Sequence, residues 1–135
     1  MKLRKLSLLL LFLPLLACAP PPYTNIDNQE LKALQAQGIP VIDIRRAEEW
    51  AQTGVVAGSQ RMTFVDEKGR VSPEFFAQFT GSVGKNDTVI LICRTGNRTD
   101  VLGRALVEQL GYTKVYNVKN GITRWISEGL PVVRN

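Results

Sequence analysis

Residues 90–106 read ILICRTGNRTDVLGRAL, and this stretch leads to the fold prediction for the whole chain. The run 88–92 is apolar and rich in β-branched residues, which predicts a buried strand. A loop of arginine, glycine and asparagine follows it. Apolar residues then recur at helical spacing up to Gly111, namely Val101, Leu102, Ala105, Leu106 and Leu110. Cys93 therefore lies where a strand passes into a helix.

The rest of the chain shows the same alternation of strand and helix patterns. Further strands are predicted at 41–44, 59–63 and 115–118. Helices are predicted from a capping box at Asp27 to Gly38, over 47–52, from Pro73 with Phe75, Phe76 and Phe79 on the buried side, and over 122–128 with Trp125 in the core. This order predicts an α/β fold: an open, mainly parallel sheet of about five strands with helices on both faces.

The first 17 residues are expected to be a secretory signal peptide. Basic residues at the start precede an apolar run over 6–16, which is too short for a membrane span of about 20 residues. Leu15-Leu16-Ala17-Cys18 resembles the lipobox of bacterial lipoproteins, in which the cysteine becomes lipid-modified. The alternatives are a retained anchor helix and ordinary cleavage after Ala19. An aspartate directly after the cysteine would resemble an inner-membrane retention signal. Ala19 stands there instead, so we expect the protein at the outer membrane, facing the periplasm.

The predicted organisation is a signal peptide at 1–17, a lipidated tether at 18–25 and one domain at 26–135. Consecutive prolines at 20–22 favour an extended tether. The leader also holds three of the 17 basic residues and none of the 12 acidic ones, so the remainder carries a net charge of +2. This balance does not predict a nucleic-acid surface, which requires clustered positive charge.

Cys93 is the candidate nucleophile. It has no predicted disulfide partner, because the only other cysteine, Cys18, would carry lipid. In open α/β sheets ligands bind at the carboxyl ends of strands, where Cys93 lies. The chain has no histidine to act as a base, so the thiolate would depend on a helix amino end, loop N–H groups and the charges of Arg94 and Arg98. Gly96 would permit the tight curl of such a loop. A thiol that serves only in packing is the alternative.

Three segments resemble the rhodanese family. Cys93-Arg94-Thr95-Gly96-Asn97-Arg98 resembles its six-residue active-site loop. Residues 41–45, 48–50 and 54–58 resemble its amino-terminal signature, and residues 118–125 with 129–132 its carboxyl-terminal one. The chain departs from the family at Val55, where histidine is usual, and at Asn120, where a second glycine is common.

The resemblance implies a thiosulfate sulfurtransferase-like enzyme. Cys93 would take a sulfane sulfur from a small anionic donor such as thiosulfate, hold it as a persulfide, and pass it to cyanide or a thiol. The substrate-binding residues would be those of the loop, namely Arg94, Thr95, Gly96, Asn97, Arg98 and Thr99; for Thr99, helix capping is an equal alternative. No metal or cofactor is predicted, and the oligomeric state stays open.

Two other functions compete with this prediction. One is a phosphatase or arsenate reductase, some of which have this same fold. In the phosphate loop of those enzymes five residues separate the cysteine from the arginine, whereas four separate Cys93 from Arg98. A membrane-tethered sulfur carrier or binding module is the third possibility, although such modules usually lack the cysteine. Charged and aromatic residues near the second strand, namely Asp43, Arg45, Glu49 and Trp50, are interpreted as mainly structural.

Overall fold

The structure, a computed structural model, describes residues 19–134. The predicted signal peptide and Cys18 lie outside these residues. One five-stranded sheet contains β1 (Thr24–Ile26), β2 (Val41–Asp43), β3 (Gln60–Arg61), β4 (Thr88–Ile92) and β5 (Lys114–Val118). The strands lie in the order β1-β5-β4-β2-β3, and every neighbouring pair is parallel. The strand that precedes Cys93 is therefore central in the sheet.

Helices follow the strands along the chain, as the alternating pattern predicts. They are α1 (Asn28–Ala36), α2 (Ala47–Thr53), α3 (Phe75–Ser82), α4 (Asn97–Arg104) and α5 (Gly121–Ser127). A π-helical segment, Ala105–Gln109, continues α4. None of the helices within residues 19–134 has the length and apolar character needed to cross a membrane. The predicted open, parallel α/β sheet is confirmed.

The sheet is buried on both faces because alternate side chains of β4 enter two separate cores. Val89 and Leu91 join Cys93 in a core that contains Phe75 and Phe79 of α3, together with Leu102 and Leu106 beyond the loop. Ile90 and Ile92 point to the opposite side, where they meet Leu31 of α1 and the α5 residues Ile122 and Trp125. Since strand side chains alternate between faces, this register places the Cys93 side chain on the α3 and α4 side.

Two local predictions differ from the structure, and one strand was not predicted. The third helix begins at Phe75 and not at Pro73, because the Phe75 N–H donates to the Ser72 carbonyl over 3.1 Å and closes a turn first. Val101 is 60% exposed: Leu102 provides the buried side of α4, and its neighbour is rotated about 100° away from it. Strand β1 was not predicted. It has three residues and begins inside the segment interpreted as tether.

Candidate active site

Cys93 directly follows β4 and is 1% exposed, so its sulfur lies beneath the loop that leads into α4. The Gly96 N–H donates to Sγ over 3.2 Å. Gly96 has φ 98°, in the left-handed region, and serves as the amino-terminal cap of α4. A side chain at this position would strain the backbone that turns this N–H toward the sulfur. The loop therefore provides one backbone donor to Sγ among the described residues.

The Thr99 side chain contributes to both the loop and the sulfur environment. Its hydroxyl donates to the Gly96 carbonyl over 3.0 Å, and the same oxygen lies 3.4 Å from Sγ. A hydroxyl has one proton. In the thiol state Thr99 can donate to Gly96 while it accepts from the S–H. When Cys93 is a thiolate, the hydroxyl can rotate and donate to the sulfur instead. Thr99 can therefore form a hydrogen bond with Cys93 in both protonation states.

The amino end of helix α5 hydrogen-bonds to the start of the loop. The N–H groups of Ile122 and Thr123 donate to the carbonyls of Cys93 and Arg94 over 2.9 and 3.1 Å. A Cβ atom on Gly121 would lie 2.4 Å from the Cys93 carbonyl oxygen, so only glycine permits this approach. Asn120, where the family commonly has glycine, has φ 65°. Asparagine tolerates this left-handed conformation better than most residues, which explains the substitution.

The two loop arginines have different environments. Arg98 makes two hydrogen bonds to the Glu49 carboxylate, 2.8 Å from Nη1 to Oε2 and 2.7 Å from Nη2 to Oε1. The hydrogen bond with Glu49 raises the pKa of Arg98. Arg94 is exposed, and no ion-pair partner for it is found within residues 19–134. Both arginines were predicted to face substrate. Arg94 has the uncompensated charge, whereas the charge of Arg98 is balanced by Glu49.

Glu49 connects α2 to the loop, a role that sequence reasoning missed because the pair is separated by 49 positions. Burial raises the pKa of this carboxyl, but hydrogen bonds from Arg98 and from the Arg46 N–H outweigh it and hold the pKa at about 2, below its ordinary value of 4.5. The carboxylate thus stays charged throughout the physiological range. It anchors Arg98, and with it the end of the loop.

Acid should remove this anchor. A carboxyl whose pKa is depressed by folding stabilises the protein above pH about 4.5, and the contribution is lost as the pH falls toward about 2. We expect Glu49→Gln to lower the free energy of unfolding at pH 7 by up to roughly 3 kcal/mol, and the deficit to shrink between pH 5 and pH 2.5. Urea unfolding across this range measures both. Glu108→Gln is the control, because the Glu108 side chain is exposed. A deficit that does not change with pH would contradict the assignment.

A cavity of about 430 Å³ opens beside the loop. Its lining joins loop residues to α2 and α5 and comprises Arg45, Arg46, Glu49, Gln52, Thr53, Arg94, Arg98, Ile122, Thr123 and Ile126. Thr95 and Asn97, also predicted to bind substrate, are exposed on the loop itself. The lining thus combines the Arg94 guanidinium, which has no ion-pair partner among the described residues, with the apolar side chain of Ile126, which is 42% exposed. Such a lining suits a small anion.

Asp43 and Arg45 form a buried ion pair at the end of β2. They are 0% and 1% exposed, and Nη2 of Arg45 lies 2.8 Å from Oδ2 of Asp43. The guanidinium also donates to the Thr53 hydroxyl and to the Gly54 carbonyl, while the Trp50 indole N–H donates to Asp43. The pair therefore connects β2 to the middle and the carboxyl end of α2. Within the described chain, no group of three or more His, Cys, Asp or Glu side chains is arranged to hold a metal ion.

The chain is similar in sequence to several known proteins. It is 31% identical over 109 residues to Protein HIGH ARSENIC CONTENT 1, mitochondrial, of Arabidopsis thaliana. This alignment covers 78% of this chain and 63% of that protein, so the chain spans less than two thirds of that relative's length. It is 27% identical over 111 residues to Thiosulfate sulfurtransferase GlpE of Actinobacillus pleuropneumoniae, which covers 82% of this chain and 93% of that one.

A solved structure of a rhodanese-related protein from Thermoplasma volcanium matches with a TM-score of 0.63 and 26% identity, covering 84% of this chain and 100% of that chain. The family model of the rhodanese-like domain matches residues 27–128 of this chain. This match extends from the cap of α1, through the Cys93 loop, to the end of α5. Because it covers both the fold and the loop, the chain belongs to the rhodanese-like domain family.

Proposed function

We propose that this protein is a sulfurtransferase that carries a sulfane sulfur on Cys93. The observation that supports this function best is the position of Sγ, which receives the Gly96 N–H over 3.2 Å and lies 3.4 Å from the Thr99 hydroxyl. These donors can stabilise an anion on sulfur, first as thiolate and then as persulfide. The relatives named as sulfurtransferases support the same reaction class.

Thiosulfate is the proposed donor. The Cys93 thiolate attacks the outer sulfur of thiosulfate; a sulfur–sulfur bond forms on the enzyme, and the bond to the sulfonate breaks. Sulfite leaves with the electron pair, and the enzyme retains a persulfide anion. Arg94 in the cavity lining attracts the anionic donor and its sulfonate oxygens, since guanidinium groups bind oxyanions strongly. Covalent storage on Cys93 thus divides the transfer into two steps.

The second step regenerates the thiolate. An acceptor such as cyanide or a thiolate attacks the terminal sulfur of the persulfide, forms its own bond to that sulfur, and leaves Cys93 with the electron pair of the broken bond. Cyanide yields thiocyanate, and a thiol yields a new persulfide. No proton is required at the sulfur in either step. The proposed cycle therefore needs no histidine, and the chain has none.

Phosphate or arsenate chemistry is the competing function, and the state of Arg98 argues against it. A phosphoryl group needs a bidentate arginine and several N–H donors spread around its oxygens. Here both terminal nitrogens of Arg98 bind Glu49. Among the described residues, the Gly96 N–H is the backbone group that reaches Sγ. The site therefore suits one sulfur atom better than an oxyanion with three oxygens to satisfy.

The test measures both chemistries on the same preparation. We expect intact-mass spectrometry after thiosulfate treatment to show an increase of about 32 Da, one sulfur atom retained on cysteine. Cyanide should remove the added mass and release thiocyanate. Hydrolysis of an aryl phosphate, measured in parallel, should stay at background. Robust phosphate hydrolysis without any retained sulfur would favour the competing function and overturn this one.

We further propose that Cys18 is lipid-modified and anchors the domain at the outer membrane, facing the periplasm. The support is the lipobox-like Leu15-Leu16-Ala17-Cys18 that ends the apolar leader. Cys18→Ala should move the protein from the membrane fraction to the soluble fraction, or leave the leader uncleaved. Fractionation and intact mass measure these outcomes, with Ala19→Ser as the control that keeps the cysteine. Unchanged membrane retention in Cys18→Ala, with a mass that differs from wild type only by the substitution itself, would contradict the anchor.

A further inference from the structure

Asp100 places a negative charge on the first turn of the helix that follows the sulfur loop. It lies in the first turn of α4, directly after Thr99, whose hydroxyl oxygen is 3.4 Å from Sγ. A carboxylate in the first turn stabilises a helix, but it also opposes an anion held at the same helix end. The thiolate and the persulfide of the proposed cycle are such anions. The orientation of the Asp100 side chain therefore affects the charge that Cys93 experiences.

The structure directs this carboxylate toward the segment that precedes β1. The Tyr23 hydroxyl donates to Oδ1 of Asp100 over 2.5 Å, and Nε of Arg104 donates to the same oxygen over 3.0 Å. Burial and the hydrogen bond to Asp100 raise the pKa of Tyr23 to about 12, so the phenol remains a neutral donor at physiological pH. The Asp100 and Arg104 side chains are 40% and 44% exposed, and exposed pairs hold their geometry weakly. Tyr23 is the better-held partner.

Tyr23 packs against α4 at a position where the helix has no side chain, Gly103. A Cβ atom at Gly103 would lie 2.7 Å from Cδ1 of the Tyr23 ring, so the absent side chain leaves the space that the ring occupies. Glycine within a helix costs about 1 kcal/mol relative to alanine. The ring is half-buried and packs on the same core as Cys93, Leu102 and Leu106. Gly103 thus lowers the stability of the helix but provides the space for the Tyr23 ring.

We infer that Tyr23 is a positioning residue for the sulfur site: it holds the Asp100 carboxylate toward β1 and away from the Cys93 anion. The residue itself touches neither sulfur nor substrate. It acts through Asp100, and it connects the segment before β1 to the helix that carries the active-site loop. The inference rests on the proposed role of Cys93 and adds a residue 77 positions from Asp100 to the machinery around it.

The test follows the rate at which a small alkylating reagent, iodoacetamide, modifies Cys93 at pH 7. In Tyr23→Phe the freed carboxylate can approach the sulfur, and we expect alkylation to slow about threefold, the size of a screened like-charge interaction. Asp100→Asn should not slow the reaction. The double variant Tyr23→Phe/Asp100→Asn should react as Asp100→Asn does, because no carboxylate remains to be positioned.

Tyr112→Phe is the matched control. Its hydroxyl donates to the Val83 carbonyl over 2.8 Å, in the same core but away from the loop, so its loss should lower stability without slowing alkylation. Equal rates in Tyr23→Phe and wild type would overturn the inference. So would slowing that persists in the double variant, because Tyr23 would then act by packing alone. Wild-type protein that takes up no sulfur from thiosulfate would instead contradict the proposed function, which the mass measurement reports separately.

Discussion

Cys93→Ser is expected to abolish thiocyanate formation from thiosulfate and cyanide, a loss of at least about a thousandfold. A serine hydroxyl is scarcely ionised at neutral pH, and its oxygen cannot hold sulfur in an exchangeable sulfur–sulfur bond. The fold should survive, because the Cys93 carbonyl accepts from the Ile122 N–H whatever the side chain, and the Gly96 N–H can donate to a serine oxygen in place of Sγ. The variant therefore isolates the chemistry of the sulfur.

Thiocyanate release and intact mass after thiosulfate treatment are the measurements. The serine variant should show no added sulfur, and its thermal unfolding should stay cooperative. Tyr112→Phe, with its lost hydrogen bond outside the loop, should retain sulfur transfer while losing about 1 kcal/mol of stability. If Cys93→Ser still formed thiocyanate at the wild-type rate, another group would have to carry the sulfur, and the proposed mechanism would fail.

Arg45→Met should reduce the free energy of unfolding by about 3–5 kcal/mol. Methionine fills a similar volume but leaves the Asp43 carboxylate, which is 0% exposed, without its counter-charge. The Thr53 hydroxyl and the Gly54 carbonyl also lose the guanidinium donor. Since α2 carries Glu49, loosening its end should weaken the support of Arg98 as well.

Urea unfolding at pH 7 gives the size of this effect. The matched control is Arg70→Met, which removes an ion pair to Asp66 from a side chain that is 72% exposed. Exposed pairs contribute about 0–1 kcal/mol, so this control should change little. The double variant Asp43→Asn/Arg45→Met should recover part of the loss, because no buried charge remains unpaired. Similar losses in Arg45→Met and Arg70→Met would show that burial of the pair does not matter.

The fold could be predicted because its elements have strong local patterns. Strand β4 was located to the residue by its continuous apolar run, and α1 by the reciprocal hydrogen bonds between Asp27 and Glu30. Strand β1 has no such pattern. It is a short edge strand whose residues Thr24 and Asn25 are exposed, and pairing with β5, not hydrophobicity, makes it a strand.

The site was predictable only where its residues are neighbours in sequence. The loop from Cys93 to Thr99 is contiguous, so its resemblance to the rhodanese active-site loop could mark it as the candidate site. The partner of Arg98 lies on another helix: Glu49 was interpreted as mainly structural, but nothing in the sequence paired it with Arg98. The direction of Asp100 depended on Tyr23, for which the one sequence hint was Gly103, a glycine inside a helical pattern.

The position of β1 determines the order in which the domain can be completed. Of the described strands β1 is synthesised first, yet it pairs with β5, the last; the Asn117 side chain donates to Asn25, 92 positions earlier. Bringing such distant segments together has an entropic cost that precedes the gain from their contacts, so we expect this pairing to form late. Strands β2 and β4 can already be paired while β1 has no neighbour. We therefore expect the Cys93 loop to reach its final charge environment only when the last strand brings Tyr23 onto α4.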